Sequence, residues 1–70
     1  MITYKELSVD EFRKLTGKSI NQIAMLTGAD PDTVKNHRRK SNDPESRNKP
    51  QYIQFRRHLG LLAAIEGKNF

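Results

Sequence analysis

The sequence predicts an all-α domain of about four to five short helices, on three observations. Two Ser-x-x-Glu/Gln capping boxes each open a short apolar-patterned stretch that closes at glycine. An Asp-Pro pair opens a third stretch, and a last segment carries large apolar residues three and four positions apart.

In the first stretch, from Ser8 to Lys14, Ser8 can cap the helix while Glu11 reaches back to the Ser8 amide, and Gly17 supplies a left-handed stop. Val9, Phe12 and Leu15 give it an apolar face for packing. The second helix repeats the signal with Ser19 and Gln22, carries Ile20, Ile23, Ala24 and Leu26 on an apolar side, and ends at Gly28. The third starts at Asp30-Pro31, where Asp is a favoured N-cap and proline fits the first helical position. Its far end carries Arg38, Arg39 and Lys40, where cations suit the helix dipole. These elements make up a reading head over residues 8–40. Residues 41–50, SNDPESRNKP, read as a mobile loop or small wing. A fourth helix is expected over 51–66, with Tyr52, Phe55, Leu59 and Leu62 on one face and a second stripe of Leu61 and Ile65. One small domain rarely covers both stripes, so Leu59, Leu61, Leu62 and Ile65 are expected to form a dimerisation surface. Residues 1–7 are compatible with a strand, an arm or an extra helical turn.

Composition limits the function classes. Seventy residues make one domain, and a chain of this size buries only roughly 60% of its unfolded surface, so outside support such as self-association is expected. There is no cysteine for a disulfide framework or thiolate zinc site, and no apolar run of the length a spanning helix or signal peptide needs. A cytoplasmic protein is expected, nucleoid-associated when bound to DNA. Thirteen Lys and Arg against eight Asp and Glu give a formal net charge of +5, with a pI near 9.9. That balance favours polyanionic partners.

Ser19 to Arg39 therefore reads as two short helices joined by a tight turn, the second ending in a cationic run. This is the layout of a helix-turn-helix DNA reader. Such a reader needs a small residue in its first helix for close crossing, a glycine at the turn, and apolar residues beneath the recognition helix; Ala24, Gly28 and Val34 fill these roles. The spacing of Ile23-Ala24, Gly28, Ala29 and Val34 resembles the large prokaryotic and phage helix-turn-helix superfamily over Ile20 to Arg39. The chain departs from that pattern at Thr27, where a larger aliphatic is common, and at His37, where a bulky apolar residue is usual. A narrower resemblance lies in Pro50 to Phe55, PQYIQF, leading into a leucine-rich helix. It is similar to the C-terminal part of small phage repressors, including those associated with anti-CRISPR operons, which implies a dimer that silences its own operon.

By matching position, the resemblance implies that Asp30, Pro31, Asp32, Lys35, Asn36 and Arg39 face the major groove. Lys35 and Arg39 can donate to guanine O6 and N7, Asn36 can pair with adenine N6 and N7, and Asp32 can accept from cytosine N4 or serve simply as a helix-start residue. These are the expected base readers. Lys18 and Ser19, at the start of the second helix, are placed to hold a phosphate, and Arg38, Lys40, Arg47 and Lys49 would add sequence-independent contacts. A homodimeric repressor on double-stranded DNA is the expected function, without cofactor, metal or small-molecule ligand.

His37 fits a half-buried structural histidine, and neither it nor His58 has ligand-spaced neighbours for a metal. Thr16-Gly17-Lys18-Ser19 resembles the tail of a P-loop, but Phe12 stands where the first glycine belongs. No nucleophile and base are spaced for catalysis, so an enzyme is not expected. The alternative function is a helical adaptor or antitoxin-like subunit whose basic face meets an acidic protein. RNA binding by the same helix is disfavoured by the scarcity of free aromatics.

Overall fold

Local capping decides where the helices begin and end. The computed structural model describes residues 4–68, and within them the chain forms α1 (Val9–Thr16), α2 (Ile20–Thr27), α3 (Pro31–Ser41) and α4 (Pro50–Ile65), with no strand. Of the expectation for residues 1–7, positions 1–3 lie outside the described residues, and 4–7 run without regular structure. Ser8 Oγ accepts from the Glu11 N–H at 3.2 Å while Glu11 Oε1 accepts from the Ser8 N–H at 3.0 Å. Ser19 and Gln22 repeat this at 3.2 and 2.8 Å. Gly17 and Gly28 both take φ of 72°, the left-handed conformation that stops α1 and α2. Asp30 holds the N-cap position of α3, but its side chain makes no capping hydrogen bond. Pro50 begins α4 one residue ahead of expectation because proline at the first helical position forfeits no helical hydrogen bond.

The core consists of Leu7, Val9, Phe12, Ile23, Ala24, Val34, Leu59 and Ala63, with Ile20, Ala29, Phe55 and Leu62 packed against it. α2 packs chiefly on α3, and α1 on α4 and α3. Two expected packing residues fall outside this core: Leu15 is 42% exposed and Leu26 47% exposed. At 100° per residue Leu15 is rotated about 60° from Phe12 and about 120° from Val9, and Leu26 lies almost opposite Ala24.

Leu59 corrects the expected dimerisation set. It is completely buried in the protomer's own core, so it has no surface to offer a second copy. Leu62 is half-buried and packs against the same core. Leu61 and Ile65 lie on the other side of α4, about 40° apart; Leu61 is half-buried, and Ile65 is 64% exposed. Residues 42–49, within the segment expected as a loop or small wing, connect α3 and α4 without helix or strand. Asp43 accepts from the Ser46 hydroxyl at 2.8 Å and the Glu45 N–H at 3.2 Å, and its carbonyl takes the Arg47 N–H at 2.9 Å. Ser46 is buried, so the segment is a compact turn.

The N-terminal segment is laid across α4. Leu7 donates its N–H to the Arg56 carbonyl at 3.1 Å, and Arg56 Nε donates to Glu6 Oε1 at 2.9 Å. Arg56 is buried, and its Nη1 has no hydrogen-bond partner among the described residues. Burying a charge this way is costly, yet the pair fixes where the segment crosses. Gly60 makes the crossing possible, because a Cβ there would collide with the Lys5 carbonyl oxygen and press on Glu6 Cα. Helix propensity alone would make Gly60→Ala stabilising by about 1 kcal/mol. We expect the opposite sign, a net loss of up to about 2 kcal/mol once an overpacking cost of about 1–3 kcal/mol is set against that gain, read as a lower urea midpoint. A raised midpoint would show that the segment lifts away freely.

Candidate nucleic-acid interface

The face of α3 that matters chemically is the one its packing leaves free. Val34 is completely buried and is the one buried residue of the helix. Positions 32 and 36 lie about 160° from it, and 35 and 39 lie close to them on the outward side. Asp32, Lys35, Asn36 and Arg39 accordingly line one shallow concavity. All four expected base readers are thus brought together; Asn36 is half-buried and the others are exposed. Asn36 and Arg39 are also bonded to each other, Arg39 Nη2 donating to Asn36 Oδ1 at 2.8 Å. The turn into α3 is closed by the Ala29 N–H donating to the Ala24 carbonyl at 3.0 Å. Thr27, where a larger aliphatic was expected, instead returns its hydroxyl proton to the Ile23 carbonyl at 2.8 Å.

Three of the expected phosphate contacts are engaged by carboxylates. Lys18 pairs with Glu66 at 3.3 Å, Arg38 with Asp10 at 2.9 Å and Lys40 with Asp43 at 3.9 Å. Ser19 is exposed but its oxygen serves the α2 cap. Arg47 and Lys49 are exposed on the turn after α3, where Arg47 borders a polar cleft with Ser41, Asn42 and the Glu6–Arg56 pair. Surface ion pairs are worth about 0–1 kcal/mol, so exchanging a carboxylate for a phosphate costs little at any of these sites. The Asp43 carboxylate is held below its usual range mainly by the Ser46 hydroxyl, then by the Glu45 N–H, and so remains a durable anion.

Sequence reasoning missed Asp10. It lines a second concavity with Lys35, Arg38, Arg39 and Asn42, and a third with Glu11, Arg13, Lys14, Gly17 and Lys18. The outer side of α1 is therefore continuous with that of α3. The signal was not local, since α1 and α3 are separated in the chain by all of α2. Thr16-Gly17-Lys18-Ser19 forms the turn between α1 and α2 and follows a helix, not the strand a P-loop requires. No group of three or more His, Cys, Asp or Glu among the described residues could hold a metal ion. No helix among them is long and apolar enough to cross a membrane.

His37 fastens the free face from behind. Its ring stacks on Phe55 at 3.9 Å and 8°, with Tyr52 edge-on at 5.2 Å. This answers the expectation of a half-buried structural histidine: a flat ring replaces an aliphatic side chain by lying on the aromatic rings of α4. Its Nδ1 is buried with no hydrogen-bond partner among the described residues, and burial pushes its pKa below the ordinary 6.5. The folded state therefore favours neutral His37, while the unfolded chain takes up a proton near 6.5. The stability held by this group is complete above that value and is lost as pH falls through the interval down to the lowered value. The slope cannot exceed about 1.4 kcal/mol per pH unit for one proton. Urea midpoints between about pH 7.5 and 5 should fall for the native chain and much less for His37→Phe; equal falls would exclude His37 as the titrating group.

No protein-family model, no curated protein and no solved structure matches the chain.

Proposed function

We propose that the protein is a sequence-specific, double-stranded-DNA-binding transcriptional regulator, a homodimeric repressor that blocks a palindromic operator. On this reading α2, the Gly28 turn and α3 are a helix-turn-helix, and α3 is the recognition helix. The observation that carries it is the common concavity of Asp32, Lys35, Asn36 and Arg39 on the side of α3 opposite Val34. Those side chains can address base edges while Val34 and His37 fix the helix from beneath. Arg38, Lys40, Arg47 and Lys49 supply backbone charge, and occlusion of polymerase needs no catalytic step. A second copy meets the first along the outer side of α4 through Leu61 and Ile65. The resemblance to phage regulators over Ile20 to Arg39 supports the same reading, as does the formal charge of +5.

One observation favours a second reading. Met25 is 83% exposed and Leu26 47% exposed on α2, and an adaptor or antitoxin-like subunit would cover them with a protein partner. Selection from a random duplex pool separates the two. A regulator enriches a two-fold symmetric site with half-sites about 10 base pairs apart; an adaptor enriches nothing.

On the selected site Lys35→Ala or Arg39→Ala should cost about 1–3 kcal/mol and relax preference at one base pair. Lys40→Ala should weaken all sequences alike and reduce the salt slope by about one. Unchanged binding in both base-reading variants would remove α3 as the reader. For the pairing surface, Ile65→Glu should shift sedimentation from dimer to monomer and leave helical content intact, whereas a dimer that persists would place the contact elsewhere.

A further inference from the structure

Asn36 and Arg39 look like two independent readers when only their positions are considered, but the bond between them changes what each can do. Arg39 Nη2 donates to Asn36 Oδ1 at 2.8 Å, one helical turn apart, with Asn36 half-buried and Arg39 exposed. We propose that Asn36 is a positioning residue that presents Arg39 to a guanine, so that the two side chains read one base pair as a unit. This rests on the proposed reading of the protein as a duplex-DNA binder.

The donor and acceptor inventory carries the argument. An asparagine side chain has one acceptor oxygen and one NH2 group; arginine has five N–H donors and no acceptor. Pairing Asn36 with adenine would need its oxygen to accept from N6–H while its NH2 donates to N7. In the folded protein one of that oxygen's two lone pairs is taken by the guanidinium, which turns the amide along the helix, so pairing with adenine would require it to be drawn out of this arrangement. Arg39 gives up a single donor and keeps enough to address guanine O6 and N7 together. As held, the pair is turned away from adenine and already set for guanine.

The surroundings point the same way. Lys35 lines the same concavity and can only donate. The acceptors nearby are the carboxylates of Asp32, which lies toward the helix N-terminus, and Asp10, which Arg38 Nε engages at 2.9 Å. The C-terminal part of the face is therefore donor-rich, and the most acceptor-rich base edge in the major groove is that of guanine, with O6 and N7 side by side. Pre-organisation adds to this. A free arginine loses much rotamer freedom on binding, and a guanidinium already held by a neighbour loses less. The bond also strengthens once the groove excludes water around it.

The test uses the full chain and the duplex enriched from a random pool, with every single-base change at each half-site position and circular dichroism as the folding control. Both residues face away from the core, so the variants keep the fold. Arg39→Ala should reduce discrimination at one G·C pair by about 5- to 150-fold. Asn36→Ala should reduce discrimination at that same pair, and the double variant should be no worse than Arg39→Ala alone. Asn36→Asp restores the acceptor and removes both donors, so it should recover the guanine preference while its added charge lowers affinity for all sequences equally. Loss of preference at a separate A·T pair in Asn36→Ala, with additive effects in the double variant, would make Asn36 an independent adenine reader and overturn the proposal. If the native chain enriches no site, the DNA-binding reading itself fails, a result distinct from either pattern.

Discussion

Helix α3 contributes a single completely buried side chain, Val34, and the outward geometry of the protein depends on how a helix so lightly anchored is held. Its N-terminal end is set by the turn at Gly28 and by Ala29, which packs on the core. Its second half is set by the His37 ring lying flat on Phe55 of α4. Between them these contacts leave the other side of the helix without packing duties, which is why four polar side chains can share it. A helix with a broad apolar stripe would be held more firmly, but it would have less circumference left for recognition. The stacked histidine is a compromise within that constraint, since it packs like an apolar residue and carries a buried nitrogen with no protein partner.

The features legible in the sequence are those whose cause is local. A capping box acts over three residues and a left-handed glycine over one, so α1, α2 and the start of α3 could be bounded from the letters alone. The grouping of Asp32, Lys35, Asn36 and Arg39 was carried by the resemblance, position by position, and the helical spacing of the four agrees with the concavity they share. What the sequence concealed depends on contacts between distant segments. Leu7 enters the core, Arg56 is buried in the middle of α4, and Gly60 admits the Lys5 backbone; none follows from periodicity, because each exists only where the N-terminal segment crosses α4. Leu59 is concealed for a similar reason, since it is buried in a core drawn from every helix and from Leu7. A stripe running Tyr52, Phe55, Leu59 and Leu62 gives no sign of how much of it the protomer itself will cover. Leu15 and Leu26 err the other way, counted into apolar faces but turned toward water.

Charge follows the same division. The excess of cations was readable, but their carboxylate partners were not, since Asp10 and Glu66 come from elements distant from Arg38 and Lys18. These pairs make the protein less uniformly basic at its surface than its composition implies. On the proposed reading this has a use: cations that must exchange a carboxylate for a phosphate bind an arbitrary polyanion less eagerly than free ones would, while Lys35 and Arg39, which pair with no carboxylate among the described residues, keep donors for base edges. The cost is small because each pair is at the surface, where ionic contacts are weak and screened by salt.

The correction at Leu59 bears on how two copies would be related. Had Leu59 belonged to the pairing surface, α4 would have been an appendage, free to pair at some distance from the rest. Instead Leu59 and Ala63 lock α4 into the core, and Lys18 to Glu66 at 3.3 Å ties its C-terminal end to the turn that begins α2. Any surface on its outer side is therefore fixed relative to α3, and the ion pair, weak in itself, adds to an orientation that burial already sets. On the proposed reading, half-site spacing on DNA would be selective only if the two α3 helices were held at a fixed separation of about 34–36 Å. A surface of Leu61 and Ile65 is small for a dimer, but it is carried on a rigid element. On the proposed reading rigidity would matter more than area, because duplex DNA engaging both copies would add its own energy to the pairing only where the geometry let both bind at once.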